Sequence, residues 1–291
     1  MKILKIPDNL FGIFHLNQVR KNIAIQGIKG SFHHLVAQQY FEVNIEVLEC
    51  RSFMDVVKEL KEGHASHAVM AIENSTAGTI LPNYAMIDEN QVVITGEHYV
   101  PIRMDLMTIP GRSLNDIAEV HSHPMALLQC KEFFRSQPHI KLVEDVDTAE
   151  AAQRISRNKL KNIAAIASEI AADIYGLEII KKGIQTISNN VTRFLILENA
   201  KNEELHGNKI SLKLELPNNH GNLATVLHLL SDYNLDLTKI QSLPVIETPW
   251  TYSSFIDATF QDKKELEKAL SILDIMATEL KVLGIYKNSR P

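Results

Sequence analysis

The chain has 291 residues, of which 45% are hydrophobic and 22% are charged, and it is long enough to form two or three globular domains. Its net charge of -5 at pH 7 argues against nonspecific nucleic-acid binding, which needs basic patches. Cys50 and Cys130 lack CxxC spacing, which argues against a disulfide scaffold or a cysteine zinc site. Because no signal-peptide pattern and no apolar run of about 18 residues is present, we expect a cytoplasmic protein with no membrane or nucleic-acid partner.

From Asn22 onwards, short apolar runs alternate with helical patterns. The spacing of apolar residues in 53–60 predicts a helix, and Asp147 with Glu150 has helix-cap spacing. Strands that alternate with helices of this length predict a parallel sheet. The runs predicted to be its buried strands are residues 23–25, 68–72, 117–120, 163–167 and 192–197.

The C-terminal part of the chain follows a polar segment, residues 198–208, where we place a domain boundary. Ile210, Leu212 and Leu214 alternate with polar residues, which is typical of a half-exposed strand. A helical stripe, two strand-like runs, a second amphipathic helix and a last strand follow. This βαββαβ order is the ferredoxin-like split motif, and a small domain placed behind a site-bearing domain is often a sensor.

Three polar motifs stand at the ends of predicted buried strands, namely Glu73-Asn74-Ser75, Ser122-His123-Pro124 and Asn190-Val191-Thr192-Arg193-Phe194. The ends of buried strands are where an open α/β sheet builds a binding site. The motifs supply hydroxyls, amides and one arginine. They therefore predict a pocket for a small, oxygen-rich anion.

Each of these motifs also has a purely structural interpretation. Gly27 and Gly30 could present backbone N–H groups to an anion, although a plain tight turn is favoured at this spacing. The segments beginning at Asn74 and Ser122 could simply cap helices. Arg193 lies beside apolar residues and must find a partner, which is either a neighbouring carboxylate or the carboxylate of a substrate.

The histidines are many but scattered. His121 and His123 have metal-pair spacing but no third ligand at a suitable distance along the chain, so no metal site is predicted. His33 and His34 are interpreted as surface residues of a helix.

Taken together and in this order, the motifs resemble those of the prephenate dehydratase family over most of residues 22–287. The motifs that carry the resemblance are Gly27-x-x-Gly30, Glu73-Asn74-Ser75-Thr76-x-Gly78, Ser122-His123-Pro124, Gln129-Cys130, Thr148-Ala149-Glu150-Ala151-Ala152, Ala165-Ile166-Ala167-Ser168, Tyr175-Gly176-Leu177 and Thr192-Arg193-Phe194. The resemblance implies an α/β fold, with a two-lobed, periplasmic-binding-protein-like catalytic domain at residues 1–200. Lobe one would comprise about 22–100 plus 184–200 and lobe two about 101–183, with the site between them.

The resemblance implies decarboxylating dehydration of prephenate to phenylpyruvate, water and carbon dioxide, in phenylalanine biosynthesis, with no cofactor and no metal. Thr192 carries over as the catalytic residue that orients the leaving oxygen, and Arg193 as a residue that fixes a carboxylate. The residues implied to bind substrate are Asn74, Ser75, Thr76, Ser122, Ser168 and Phe194. The residues implied to support the pocket from behind are Glu73, His123, Asn190 and Gln129.

Residues 208–287 resemble the ACT regulatory domain, an α+β ferredoxin-like fold, which implies L-phenylalanine as an effector. The matching effector motifs comprise Gly221, Asn222, Leu223, Ala224, Gln241, Ser242, Leu243 and Pro244. Leu243 stands where the family usually has arginine and Gln241 where it has glutamate, so we expect effector binding to be weakened or retuned. Pairing of such domains implies a homodimer or homotetramer.

Two other functions stay open. Arogenate dehydratase acts on a substrate that differs at one side-chain carbon. A catalytically silent, two-lobed ligand-binding regulator is the alternative from another class, although the intact Thr192-Arg193-Phe194 motif argues against it. The residues before Asn22 are too few for a chorismate mutase helix bundle, so we expect a monofunctional enzyme.

Overall fold

The computed structural model describes residues 20–41, 45–199, 206–217, 220–245, 248 and 251–291. Residues 1–19, and most of the predicted boundary segment 198–208, lie outside the described residues. The strands are β1 (Lys21–Gln26), β2 (Ile45–Cys50), β3 (His67–Asn74), β4 (Gly78–Thr79), β5 (Val92–Pro101), β6 (Asp105–Thr108), β7 (Glu119–Ser122), β8 (Lys141–Glu144), β9 (Ile163–Ala167), β10 (Glu178–Lys181), β11 (Val191–Asn199), β12 (Lys209–Glu215), β13 (Asp236–Pro244), β14 (Tyr252–Thr259) and β15 (Glu279–Tyr286). The helices are α1 (Phe32–Phe41), α2 (Phe53–Lys61), α3 (Leu81–Glu89), α4 (Pro124–Gln129), α5 (Lys131–Phe134), α6 (Thr148–Asn158), α7 (Glu169–Tyr175), α8 (Asn222–Asp232) and α9 (Lys263–Met276).

The first sheet has the strand order β2-β1-β3-β11-β5, with β4 paired to β3. Strands β1, β2 and β3 are parallel, as the alternation of strands and helices predicts. The prediction of a parallel sheet is wrong for β11, which pairs antiparallel with both β3 and β5. The reason is that β11 returns from the second sheet and not through a crossover helix.

The second sheet has the strand order β10-β6-β9-β7-β8 and is formed entirely by residues between β5 and β11. Strand β7 pairs parallel with β8 and β9, whereas β6 pairs antiparallel with β9. The chain therefore passes twice between the two sheets, once from β5 to β6 and once from β10 to β11. The predicted two-lobed α/β arrangement is confirmed, and a cleft lies between the lobes.

The loop between β1 and α1 joins the lobes at one end of the cleft. Gly27 and Gly30 have φ values of +88° and +92°, a region that residues with a Cβ rarely adopt. A Cβ on Gly30 would lie 3.1 Å from Cα of Ala171 in α7. Ser168 Oγ donates a hydrogen bond to the carbonyl of Gly30 over 2.6 Å. These glycines therefore allow a tight turn, and Gly30 also allows the two lobes to pack closely.

The third sheet has the strand order β13-β14-β12-β15, and all of its pairings are antiparallel. Its element order confirms the predicted βαββαβ motif. Helices α8 and α9 cover one face, with Val226, Leu230, Leu266 and Leu273 in the core.

The other face of the third sheet packs against the first lobe. Phe255 and Leu283 share one apolar cluster with Tyr84 and Leu195 of that lobe. A Cβ on Gly284 would lie 2.1 Å from the carbonyl oxygen of Ile94, so only glycine permits this approach. The two units are therefore closely docked. Among the described residues, no helix is long and apolar enough to span a membrane.

Candidate active site

A cavity of about 290 Å³ lies in the cleft, near the lower end of the range of ligand pockets, about 300–1,000 Å³. Its apolar wall contains Phe32, Ile80, Ile102, Met104 and Phe194. Its polar groups are Gln26, Ser31, His33, Asn74, His123, Gln129, Asp147, Thr148, Asn190 and Thr192. The predicted residues that the structure brings together here are therefore Asn74, His123, Gln129, Asn190, Thr192 and Phe194.

A network of side-chain amides holds Thr192. Asn74 Oδ1 accepts hydrogen bonds from N–H of Thr76 at 2.9 Å and of Ala77 at 2.8 Å. Its Nδ2 group therefore points the other way, and donates to Thr192 Oγ1 at 2.8 Å and to Asn190 Oδ1 at 2.6 Å. Because Thr192 Oγ1 accepts from Asn74 and no described residue accepts from it, its hydrogen is available to a ligand in the cavity.

The same network orients Gln129. Asn190 Oδ1 is occupied by Asn74, so Asn190 Nδ2 donates to Gln129 Oε1 over 3.2 Å. The side-chain carbonyl of Gln129 thereby has a donor, and the side-chain NH2 group is left as a donor at the cavity wall. Asn190 is only 2% exposed, so its side chain has little freedom to move and the orientation of the network is fixed.

Two helices begin at the cavity. Helices α1 and α6 begin at the cavity, where Phe32 and Thr148, their first residues, are among the lining residues. The N-terminus of a helix favours negative charge because its first N–H groups lack partners within the helix. Among the described residues that line the cavity there is no Lys or Arg. Because Asp147 already caps α6, the start of α1 is the part of the site that can hold an anion without a fixed side-chain cation.

The loop before α1 does not contribute such donors. The N–H groups of Gly27, Gly30 and Ser31 donate to Cys50 O, His34 Nδ1 and Ile28 O. These N–H groups therefore already have acceptors within the protein. The structural interpretation of this loop is thus favoured over the anion-holding one.

His33 lines the cavity, so its interpretation as a surface residue is wrong. His33 and His34 are only 8% and 6% exposed. Burial lowers the pKa of His33 to about 3, so the ring is neutral at physiological pH. Its Nε2 accepts from the Ala71 N–H over 3.3 Å, which places the ring proton on Nδ1. The available signal was the position of His33 at the start of a helix that follows a buried strand.

Four predicted substrate-binding hydroxyls lie outside this cavity. Ser122 Oγ donates to the carbonyl of Ile166 over 2.7 Å, and Ser168 bonds Gly30 as described above. Ser75 Oγ accepts from the Val191 N–H over 2.9 Å. Thr76 Oγ1 donates to Asn74 Oδ1 over 2.7 Å and lines a neighbouring depression. These hydroxyls hold the backbone and side chains that shape the cavity, and the structure does not bring them to its surface.

Arg193 and Glu73 also lie outside the cavity, although their chain neighbours Thr192 and Asn74 line it. Thr192 is the cross-strand partner of Asn74, and Arg193 is that of Glu73. Because successive side chains of a strand point to opposite faces, the first pair faces the cleft and the second faces the third sheet. The predicted contact between Arg193 and a substrate carboxylate does not agree with this placement.

Arg193 instead belongs to a buried network of charges between the first lobe and the third sheet. Its guanidinium donates to Glu97 Oε2 at 2.7 Å, Asp257 Oδ2 at 2.5 Å and Tyr286 Oη at 2.9 Å. Lys209 Nζ donates to Glu97 Oε2 over 2.9 Å. Burial disfavours the charged guanidinium, but Asp257, Tyr286 and Glu97 outweigh it and hold the pKa of Arg193 above its ordinary value. The arginine is therefore charged and fully paired.

The predicted effector residues lie on two elements of the βαββαβ unit, at the start of helix α8 and on strand β13. Gly221, with φ +83°, precedes α8, which begins at Asn222. Gln241 and Leu243 lie on β13, and Leu243 packs against the apolar cluster shared with the first lobe. This contact gives the physical reason why an uncharged residue is tolerated there.

Other candidate ligands are engaged elsewhere. His121 Nε2 bonds Glu119 over 2.8 Å, and its Nδ1 bonds Arg154 over 2.9 Å. Neither ring nitrogen is therefore presented with His123 to a metal.

A two-lobed α/β cleft with a βαββαβ unit docked on one lobe defines the class of this protein. The family model described as prephenate dehydratase matches residues 23–202. The bifunctional chorismate mutase/prephenate dehydratase of Escherichia coli (strain K12) is 32% identical over 283 residues, covering 94% of this chain and 73% of that protein. The chain belongs to the prephenate dehydratase family.

Further similar proteins differ in their named activities. The chloroplastic arogenate dehydratase/prephenate dehydratase 2 of Arabidopsis thaliana is 33% identical over 284 residues, covering 93% of this chain and 74% of that protein. A prephenate dehydratase from Arthrobacter aurescens in complex with L-Phe has a TM-score of 0.82 and 25% identity, and covers 92% of this chain and 90% of its own. GqqA, described as a quorum quenching acylase, has a TM-score of 0.84 and 28% identity, and covers 92% and 98%.

Proposed function

We propose that the chain catalyses the decarboxylating dehydration of prephenate to phenylpyruvate. The observation that carries this proposal is the Thr192 hydroxyl, which accepts from Asn74 at 2.8 Å and has its own hydrogen available in the cavity. In the reaction the bond between the ring and its carboxylate breaks, and its electron pair enters the ring. The bond to the ring hydroxyl then breaks, and the departing oxygen takes a proton to become water.

The cavity suits this movement of charge. The ring carboxylate leaves as neutral carbon dioxide while negative charge develops on the departing oxygen. Binding that favours the transition state must therefore strengthen at the oxygen and not at the carboxylate. Thr192 and the NH2 group of Gln129 are donors for the oxygen. The ring carboxylate faces the apolar wall around Phe194, and it has no fixed cation because no described lining residue is a lysine or arginine.

The second carboxylate of prephenate, on the side chain, stays intact and needs stable binding. The first turn of α1 supplies N–H groups for it, those of Phe32 and His33, whereas the first turn of α6 is already capped by Asp147. These donors lie in the same lobe as Thr192, so they would position the ring of a bound substrate against its hydroxyl.

An acylase activity is not favoured by the described residues. Acyl transfer needs a nucleophile with a base within hydrogen-bond reach. The cavity hydroxyls of Ser31 and Thr192 accept from His34 N–H and Asn74 Nδ2. Among the described residues, neither these hydroxyls nor that of Thr148 is bonded to a histidine ring or a carboxylate. His123 Nδ1 is already used as an acceptor for the Met125 N–H.

Purified protein is expected to convert prephenate to phenylpyruvate, measured by the absorbance of the product in alkali. L-Phenylalanine at millimolar concentration is expected to suppress this turnover, since the βαββαβ unit is proposed to be an ACT domain. Folded protein that binds prephenate calorimetrically without turnover would instead support the silent-regulator alternative. Turnover with no response to phenylalanine would contradict the regulatory half of the proposal.

A short path connects the proposed effector motif with the site. Lys239, which precedes that motif on β13, places Nζ 2.8 Å from Glu73 Oε1 and 2.9 Å from Thr79 Oγ1. Glu73 is followed by Asn74, which holds Thr192. We propose that binding at the motif shifts β13 and, through Lys239, the position of Asn74.

Lys239→Met is therefore expected to raise the half-inhibitory concentration of phenylalanine by about tenfold, within the usual range of coupling energies. Its turnover without phenylalanine should stay within about twofold of the parent, because Lys239 does not line the cavity. Inhibition curves with prephenate as substrate measure both values. Lys281→Met is the matched control, since Lys281 also bridges the two units but ends on Asp88 in α3. An equal change in both variants would contradict the proposed path.

The remaining expectations stay proposals. They are a catalytic domain at residues 1–200, an ACT domain at 208–287, a homodimer or homotetramer, and a cytoplasmic location. Sedimentation equilibrium tests the oligomeric state.

A further inference from the structure

Asp147 places a carboxylate at the cavity with one oxygen uncommitted. It caps α6, and its Oδ1 accepts from the N–H groups of Ala149 at 2.7 Å and Glu150 at 3.3 Å. Its Oδ2 has no side-chain partner among the described residues, and lies 3.5 Å from the point where a Cβ on Gly27 would sit. The cap thus uses one oxygen, while the other lies near the turn at Gly27, and Asp147 itself lines the cavity.

The surroundings of this carboxylate contain no strong cation. Asp147 takes part in no ion pair among the described residues, and none of those lining the cavity is Lys or Arg. Burial raises the pKa of Asp147 above its ordinary value, although its amide hydrogen bonds and His123 act in the opposite direction. A partly buried carboxylate without a counter-charge is unfavourable, and a dianionic substrate would add repulsion. A substrate that carries a cation would remove this cost.

The position of Asp147 matches the place where the two candidate substrates differ. Thr192 lies on β11 in the first lobe, and Asp147 begins α6 in the second lobe. In prephenate and arogenate the ring hydroxyl and the side chain are attached at opposite ends of the ring. With the hydroxyl at Thr192, the side chain extends across the cleft towards α6. Its keto carbon in prephenate carries an ammonium group in arogenate.

We infer that Asp147 is a specificity-determining residue, which pairs with the α-ammonium of arogenate and makes this chain prefer arogenate to prephenate. This inference rests on the proposed function and refines its substrate. The reaction balances as before: the ring carboxylate leaves as carbon dioxide, its electron pair aromatises the ring, and the departing hydroxyl takes a proton. The product is then phenylalanine, which is also the proposed effector.

Parallel kinetics with both substrates test the inference. The parent is expected to have a higher kcat/KM for arogenate than for prephenate. Asp147→Asn and Asp147→Ser keep an oxygen that can cap α6 but lose the charge. Each is expected to lower kcat/KM for arogenate by about tenfold to a hundredfold, the usual worth of a hydrogen bond to a charged group, and to lower that for prephenate much less, so that the ratio of the two values shifts towards prephenate.

The control is Asp262→Asn. Asp262 caps α9, which covers the third sheet, in the same manner by accepting from the Lys264 N–H. This variant should leave the ratio of the two substrates unchanged. An equal loss for both substrates in the Asp147 variants would show a purely structural cap and overturn the inference. Turnover of prephenate but not of arogenate by the parent would also overturn it while leaving the proposed function intact. Turnover of neither substrate would overturn both.

Discussion

Thr192→Val is expected to lower kcat by about 10²–10³, the usual loss when one donor to a developing oxyanion is removed. Valine retains the shape of the buried side chain but has no hydroxyl to donate to the departing oxygen. The Asn74 N–H would also lose its acceptor at 2.8 Å, which costs about 1–3 kcal/mol of stability. Single-turnover kinetics with prephenate and with arogenate, together with thermal unfolding, measure these two effects separately.

Thr192→Ser serves as the control, because serine keeps the hydroxyl and loses only the methyl group. Its kcat should fall by no more than about tenfold, since the remaining change is in packing and side-chain freedom. If Thr192→Val turned over within a few-fold of the parent, the proposed role of the hydroxyl would be wrong. Equal losses in the two variants would point to packing of Thr192 against its neighbours instead of hydrogen bonding.

The contrast between Thr192 and Arg193 shows how far sequence reasoning reaches. The motif identifies strand β11, whose first residues lie at the cleft. Period-two alternation already separates the two neighbours, so a strict strand interpretation places only one of them at the site. What the alternation does not show is which face meets the cleft. That depends on the docking of the third sheet, a contact between residues far apart in the chain, such as Arg193 and Tyr286.

The same limit applies to the hydroxyl and carboxyl residues. Ser122 follows a buried strand, but whether its Oγ faces the cavity or the carbonyl of Ile166 depends on the register of β7 with β9. Asp147 was recognised as a helix cap from its spacing, and the cap is present. The position of Asp147 at the cavity could not be foreseen, because it depends on how the lobes approach each other near Gly27. Local rules thus identify elements and caps, whereas the cavity is a product of lobe packing.

Arg193→Met is expected to lower the free energy of unfolding by about 3–5 kcal/mol, the cost of removing one partner from a buried ion pair. Arg193 is 4% exposed, and its partners Glu97 and Asp257 are 1% and 2% exposed. Without the guanidinium, Lys209 alone would face two carboxylates. Urea denaturation monitored by circular dichroism measures the change. Arg135→Met, which removes an exposed pair with Glu132, should cost less than about 1 kcal/mol.

The double variant Arg193→Met/Asp257→Asn decides whether excess charge causes that loss. The network holds two cations, Arg193 and Lys209, and two carboxylates, Glu97 and Asp257, so removing one of each restores the balance. The double variant should therefore lose less stability than the sum of the single variants. Kinetics at a temperature where Arg193→Met is folded then separate the two roles of the arginine. If Arg193 contacts a substrate carboxylate, its removal raises KM sharply. If it only docks the third sheet, the variant keeps KM for both substrates within a few-fold of the parent.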